Sequence, residues 1–361
     1  MPKHLFIDIS SHGFGHLAQV APILNALARI RTDLRLTLRS GLPPEKLRAR
    51  INTPFEHISG RSDFGFVMQD AMNIDTVATA EAYRTWHADW EGRVAAEEIF
   101  LRRLAPDLVL TDVAYLPLAG AARAGLPALS MCSLNWADLF AHVFGHEMWA
   151  GAIHEQILAA YRSAACFIRL TPAMPMPDLP NTRAVSPVAM LGQDCRDSLH
   201  GRIGARAGER VVLIAFGGFD KDLNAANWPV TLDAPGVHYL VPESWGIARE
   251  DMTAMEPLRM NFTDLLRSVD AVLTKPGYGT FTEAACNGAP VLYVRRTDWP
   301  EQDCLIEWLE QNARCREVPF ATLLRGEMRE ELERLWRQTK PLSPSPHGAE
   351  EAARLIASYL P

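Results

Sequence analysis

The chain has 361 residues, 48% hydrophobic and 22% charged, with a formal charge of −7 at pH 7. That length exceeds what one hydrophobic core usually organises, so two domains are predicted. The negative balance speaks against a nucleic-acid or anionic-membrane surface and in favour of small polar partners. Six scattered cysteines, Cys132, Cys166, Cys195, Cys286, Cys304 and Cys315, form no Cys-x-x-Cys pair, which points to reduced thiols rather than zinc or redox chemistry. Met1-Pro2-Lys3-His4 leads straight into a strand pattern, and no apolar run reaches the roughly 18 residues of a membrane span. The expected compartment is the cytoplasm; the oligomeric state is left open.

Short apolar runs alternate with helical patterns along the chain, the signature of parallel sheets covered by helices. The first run, Leu5 to Ile9, passes into Ser10-Ser11-His12-Gly13-Phe14-Gly15-His16 and then an apolar-periodic helix to Ile30, whose start Pro22 is expected to kink or to delay to about Val20. Runs follow at Leu34 to Leu38, Leu108 to Leu110, Ala128 to Met131 and Cys166 to Ile168. The proline-dense stretch Thr171 to Pro180 admits no regular helix or central strand and reads as the crossing between domains. The second half repeats the alternation at Val211 to Phe216, Val237 to Leu240, Ala271 to Leu273 and Val291 to Val294. After a second linker-like stretch, Pro341 to Pro346, Gly348 to Tyr359 has the pattern of an amphipathic helix. The predicted class is α/β: Rossmann-like domains over 1–175 and 176–346, with 347–361 a helix crossing back to the first domain.

Two loops carry chemistry. In Lys275-Pro276-Gly277-Tyr278-Gly279-Thr280, glycines leave backbone N–H groups uncovered at the end of a strand, and a helix starting near Thr280 points its positive end at the same spot. Lys275 adds a point charge, and Glu283, one turn beyond Thr280, is placed to accept hydrogen bonds from a ribose. A nucleotide diphosphate fits that set. The N-terminal loop offers His16 and, more weakly, His12 on a strand-to-helix turn, a setting for proton exchange at neutral pH. By local chemistry alone His16 and Asp112 serve equally as helix-start residues. Gly217-Gly218 is either another phosphate-facing turn or an ordinary strand-to-helix turn, and Trp136 and Asp138 either border an acceptor or belong to the core.

These residues resemble the GT-B glycosyltransferases, which take nucleotide-diphosphate sugars in a cleft between two Rossmann-like domains. Thr274 to Glu283 followed by Gly288-Ala289-Pro290 is similar to that family's donor signature, His-Cys-Gly-Trp-Asn-Ser, then Glu, Gly-Val-Pro and Asp-Gln. Gly277, Thr280, Glu283, Gly288 and Pro290 keep the spacing, Gln302 follows after slightly more residues, and Lys275 stands where the family has His. Gly15-His16-Leu17 is similar to the loop whose His is the catalytic base, and Asp112, at the end of Asp107-Leu-Val-Leu-Thr-Asp112, to the aspartate that orients it; Gly125-Leu126-Pro127 resembles its sequel. A closer likeness is to the GT-B-like N-terminal half of plant L-arabinokinases, in Gly13 to His16, Ser133 to Asp138, and Gly277 to Thr280 through Val294-Arg295-Arg296; no kinase-sized domain is expected after Pro341.

The resemblance implies donor-binding roles for Gly15, Gly217, Gly218, Lys275, Gly277, Tyr278, Gly279, Thr280, Glu283, Glu301 and Gln302, with Asp298 near the sugar. It implies His12, Trp136 and Asp138 on the acceptor side, no metal, and the nucleotide sugar as co-substrate rather than cofactor. The implied reaction is inverting transfer from a nucleotide-diphosphate sugar, a UDP-sugar by preference, to a small-molecule or glycan acceptor, with His16 as base oriented by Asp112. A nucleotide-sugar epimerase and a non-catalytic nucleotide-sugar-binding protein stay open as alternatives.

Overall fold

A strand whose successive residues are all apolar needs cover on both faces, which parallel sheets flanked by helices provide. The computed structural model describes residues 2–70, 72–216, 223–230 and 236–360, and among them the apolar runs form the interiors of two all-parallel sheets. The first contains β1 (Lys3–Ile9), β2 (Leu34–Ser40), β3 (Glu56–Ser59), β4 (Leu108–Asp112), β5 (Ala128–Cys132), β6 (Cys166–Leu170) and β7 (Thr182–Val185), in the order β3-β2-β1-β4-β5-β6-β7. The second contains β8 (Arg210–Ala215), β9 (Val237–Val241), β10 (Met252–Ala254), β11 (Ala271–Thr274), β12 (Val291–Tyr293) and β13 (Cys315–Glu317), in the order β10-β9-β8-β11-β12-β13. Over six strands the two orders are the same doubly wound arrangement.

In such a sheet the direction of winding reverses once, and the crevice outside the carboxyl ends of the strands at the reversal is where ligands sit. The first sheet reverses between β1 and β4, whose ends lead into Ser10–His16 and finish at Asp112. The second reverses between β8 and β11, whose ends lead into Phe216 and Lys275. Both loops singled out by composition therefore start at switch points.

Three expectations are corrected. The helix Phe14–Ile30 begins at Phe14, directly after the extended Gly13, and keeps Pro22 inside it. A mid-helix proline costs about 3 kcal/mol; burial of Leu17, Val20, Ala21, Ile23 and Leu24 on the sheet outweighs that penalty. Thr171 to Pro180 does not join the domains: it connects β6 to the edge strand β7 inside the first sheet, which thus extends past residue 175 to Val185. The chain crosses after β7, where Ser186 donates from its N–H and Oγ to the Glu351 carboxylate, at 2.7 and 2.8 Å, of the C-terminal helix Gly348–Tyr359. That helix packs on the first helix, with Arg29 and Glu350 paired at 3.1 Å. Among the described residues, no helix is long and apolar enough to cross a membrane.

Candidate active site

The first helix starts with no side-chain cap, so the turn Gly13–His16 is free to aim His16 sideways at the end of β4. His16 is 6% exposed and Asp112 not at all, and Nδ1 of His16 lies 3.3 and 3.1 Å from the two Asp112 carboxylate oxygens. Burial pulls the imidazole pKa down, but the Asp112 charge and hydrogen bond prevail and hold it well above the ordinary 6.5. Its Nε2 makes no hydrogen bond among the described residues. Cys132 Sγ, 4.0 Å from Nδ1, completes a group of three whose ligand-type atoms lie within 4.8 Å of one another. Burial and Asp112 push that thiol up to about 11, so it is protonated at neutral pH in the ion-free protein.

His12 shares the loop but not the chemistry. Its Nε2 lies 3.1 Å from the Phe66 carbonyl, which only accepts, so the proton sits on Nε2. Burial and neighbouring His16 and Arg296 lower its pKa to about 3, leaving it neutral. Behind the histidines, fully buried Trp136 donates its indole N–H to Asp63 at 2.8 Å, and Ser10 donates to the same carboxylate at 3.1 Å. Burial still pushes Asp63 up to about 6. Gly65, at φ +60°, presses on this cluster: a Cβ there would meet His12 and Trp136 at 2.7 and 2.8 Å. Trp136 is therefore a wall behind the histidines. Asp138 lies outside the cluster, its N–H donated to Asn135 Oδ1 and its charged neighbours being Asp178 and His154.

The second wall begins at Lys275. Gly277 caps the helix Tyr278–Asn287 in extended backbone with no side-chain cap, so the first-turn N–H groups, Thr280 among them, point along the helix axis toward the cleft. Gly279 is there because the domains touch: a Cβ would sit 2.8 Å from Ala18 Cβ and 3.8 Å from Gly15 Cα. The Lys275 ammonium has no hydrogen bond or ion pair among the described residues, and burial followed by repulsion from Arg296 lowers its pKa to about 7. Gly217 and Gly218 lie outside the described residues.

Four residues expected at the donor are instead held by protein groups. Tyr278 Oη donates to the Thr171 carbonyl at 3.1 Å and accepts from Val188 N–H at 3.0 Å, which turns it toward the domain crossing. The Glu283 carboxylate is paired with Arg50, the last residue of the helix Pro44–Arg50. Glu301 accepts from Ser133 Oγ at 2.6 Å and from the Trp299 indole N–H at 2.9 Å, joining the walls. Gln302 bonds both the N–H and the carbonyl of Arg296 at 2.8 Å each. Asp298 is half-buried and within electrostatic reach of Arg296.

Sequence reasoning missed Asp63, Cys132, Ser133, Trp299, Arg50 and Arg296 as site residues, although Ser133 and Arg296 fall inside segments quoted for the arabinokinase likeness. Arg296 is the most consequential. It lies 4.2 Å from the Trp299 ring centroid, and His12 stacks on that ring at 5.7 Å and 8°.

Two facing Rossmann-type domains with a cleft at their switch points define the GT-B fold, and solved structures agree. Over the whole of both chains the protein matches the glycotransferase of kitacinnamycin with a TM-score of 0.65 at 15% identity. It matches a UDP-glucosyltransferase from Polygonum tinctorium, over 100% of this chain and 99% of that one, at 0.60 and 14%. No family model matches. Among curated proteins, the L-arabinokinase of Arabidopsis thaliana is 26% identical over 98% of this chain, which spans 34% of that protein's length.

Proposed function

We propose that the protein is a nucleotide-sugar-dependent glycosyltransferase that works without a metal and with inversion. The observation that carries this reading is the meeting of two switch points: the His16–Asp112 pair at the end of the first sheet and the Lys275–Gly277 loop with its helix N-terminus at the end of the second. The loop N–H groups, helix dipole and Lys275 hold the diphosphate and stabilise the charge that grows on it as the sugar–phosphate bond breaks. An acceptor hydroxyl bonded to His16 Nε2 loses its proton there while its oxygen attacks the anomeric carbon from the opposite face; Asp112 stabilises the imidazolium. A UDP donor is the first choice because the Polygonum protein of the same fold is a UDP-glucosyltransferase.

The test is to incubate the protein with UDP-sugars, with and without a panel of phenolic and sugar acceptors, and to follow free UDP. Release that falls about a hundredfold or more in His16→Ala supports the reading; release unchanged in that variant sinks it. One observation favours a second reading: two further carboxyl groups, Glu301 against Ser133 and Asp63 behind Trp136, lie close to the dyad, and an epimerase needs more than one acid or base group. An epimerase returns an isomerised nucleotide sugar with its diphosphate intact, which NMR of the recovered nucleotide separates from transfer.

A further inference from the structure

Arg296 is 6% exposed, yet its Nε and Nη2 are buried with no hydrogen-bond partner, and it forms no ion pair among the described residues. A guanidinium carries five N–H donors and cannot shed its charge at neutral pH, so burying it unpaired is costly. The fold nevertheless goes to some length to hold it there. Gln302 clamps its backbone from both sides, Trp299 lies under its face at 4.2 Å, and Trp299 is itself fixed by Glu301 and His12. Lys275, a second cation of the cleft whose ammonium has no partner among the described residues, leaves the neighbouring strand: β11 and β12 are paired, and Val294 N–H donates to the Thr274 carbonyl at 3.0 Å. Two cations at the ends of adjacent strands, in one cleft, whose charged heads have no hydrogen bond or ion pair among the described residues and only Glu301 as a shared attracting carboxylate, amount to a site suited to a multiply charged anion.

We propose that Arg296 is a second anion-holding residue of this cleft, gripping together with Lys275 the negative charge of the nucleotide sugar. This rests on the function proposed above for its ligand, but on the Arg296 geometry for its existence. The charge it takes is either a diphosphate oxygen or a carboxylate on the sugar, both matched by the guanidinium fork. The far face of the second domain also gathers Arg196, Arg210, Arg267, Arg314 and Lys340 around a cavity, but there Arg196 pairs with Asp270 at 2.8 Å and Arg210 stacks on Trp336.

Titration calorimetry of wild type, Arg296→Gln and Arg296→Lys with inorganic pyrophosphate, UDP-glucose and UDP-glucuronic acid tests the proposal, alongside the melting point of each ligand-free protein. The expected result is a loss of about tenfold or more in Arg296→Gln, the size of one hydrogen bond to a charged group, with partial recovery in Arg296→Lys. Loss with all three ligands assigns Arg296 to the diphosphate; loss with UDP-glucuronic acid alone assigns it to a sugar carboxylate. The ligand-free variant is expected to melt no lower than wild type, because among the described residues the guanidinium head makes no hydrogen bond or ion pair and its burial is costly. Equal affinity of wild type and Arg296→Gln for every ligand overturns the inference and leaves the transferase reading standing. Arg296-dependent binding of pyrophosphate without binding of either uridine nucleotide does the reverse. A melting point that drops in both variants, with no recovery of binding by lysine, assigns Arg296 to structure and also overturns it.

Discussion

The two walls of the cleft are built on opposite principles. On the first-domain wall the polar side chains have protein partners: His16 has Asp112, His12 has the Phe66 carbonyl, Asp63 has Ser10 and Trp136, and Ser133 has Gln19 and Glu301. On the second-domain wall Lys275 and Arg296 have none among the described residues. Groups held by partners keep their geometry, as general-base catalysis requires, even with Asp112 Oδ2 and Asn135 Nδ2 left without a hydrogen bond; a pair of cations without partners stores affinity for an anion at the expense of the empty protein's stability. Breaking the first wall should therefore cost rate, and breaking the second should cost binding.

The largest effect is expected on the first wall. His16→Ala should lower turnover about a hundred- to ten-thousand-fold while donor affinity, measured by calorimetry, stays within a factor of about two. Parallel losses of rate and affinity would instead give the loop a structural role. Asp112→Asn should follow closely and carries a distinct sign. Asp112 raises the His16 pKa above 6.5, so the acid limb of the rate profile of wild type should lie above that value. Removing the charge should slow the reaction but move the limb to lower pH. A limb that stays in place would mean that another group titrates.

The contact between Arg50 and Glu283 joins the walls outside this scheme. Glu283 is 2% exposed and Arg50 23%, so Arg50→Ala leaves a buried carboxylate without its partner. A loss of about 3 kcal/mol in denaturant unfolding is expected. Glu283→Ala tests the ribose role expected from the sequence: unchanged nucleotide affinity in a folded protein keeps Glu283 as the structural partner of Arg50, and a loss of about 1 kcal/mol or more returns it to the donor site.

What could be read from the sequence follows from the same contrast between local and distant causes. Every apolar run folded as a sheet interior, because a strand covered on both faces must be apolar throughout. The four strands not read, Glu56–Ser59, Thr182–Val185, Met252–Ala254 and Cys315–Glu317, are the four sheet edges; they are short and half-polar because only one side is paired. His16 and Lys275 announced themselves as residues on glycine-containing loops at strand ends, a local pattern, and Asp112 through the family resemblance of the strand it closes. Arg296, Asp63 and Ser133 did not, since their roles come from partners brought in by the fold: Ser133 and Glu301 are 168 residues apart, Arg50 and Glu283 are 233. Motif spacing alone placed Glu283, Glu301 and Gln302 at the donor, and it carries no information on which protein groups reach them first.

The pH dependence of Lys275 sharpens the comparison most, because it runs in opposite directions in the empty and the occupied protein. Lys275 has a pKa lowered from 10.5 to about 7 by burial and by Arg296, with Glu301 opposing. Between about 7 and 10.5 the unfolded chain carries this proton and the folded one does not, so the lysine's destabilising contribution is greatest below that window and relieved as pH rises through it. A bound phosphate acts the other way, favouring the charged lysine, so nucleotide affinity should be flat below about pH 7 and weaken above it. Subtracting the same curves for Lys275→Met removes the tyrosines and cysteines that titrate nearby in pH. The difference in ligand-free stability should shrink with rising pH while the difference in UDP affinity shrinks with it. Lys275→Arg, always charged, should abolish the pH dependence of binding but keep the affinity. A pH-independent difference between wild type and Lys275→Met in both quantities would mean that Lys275 stays protonated in the empty cleft, and that only Arg296 is held there without a partner.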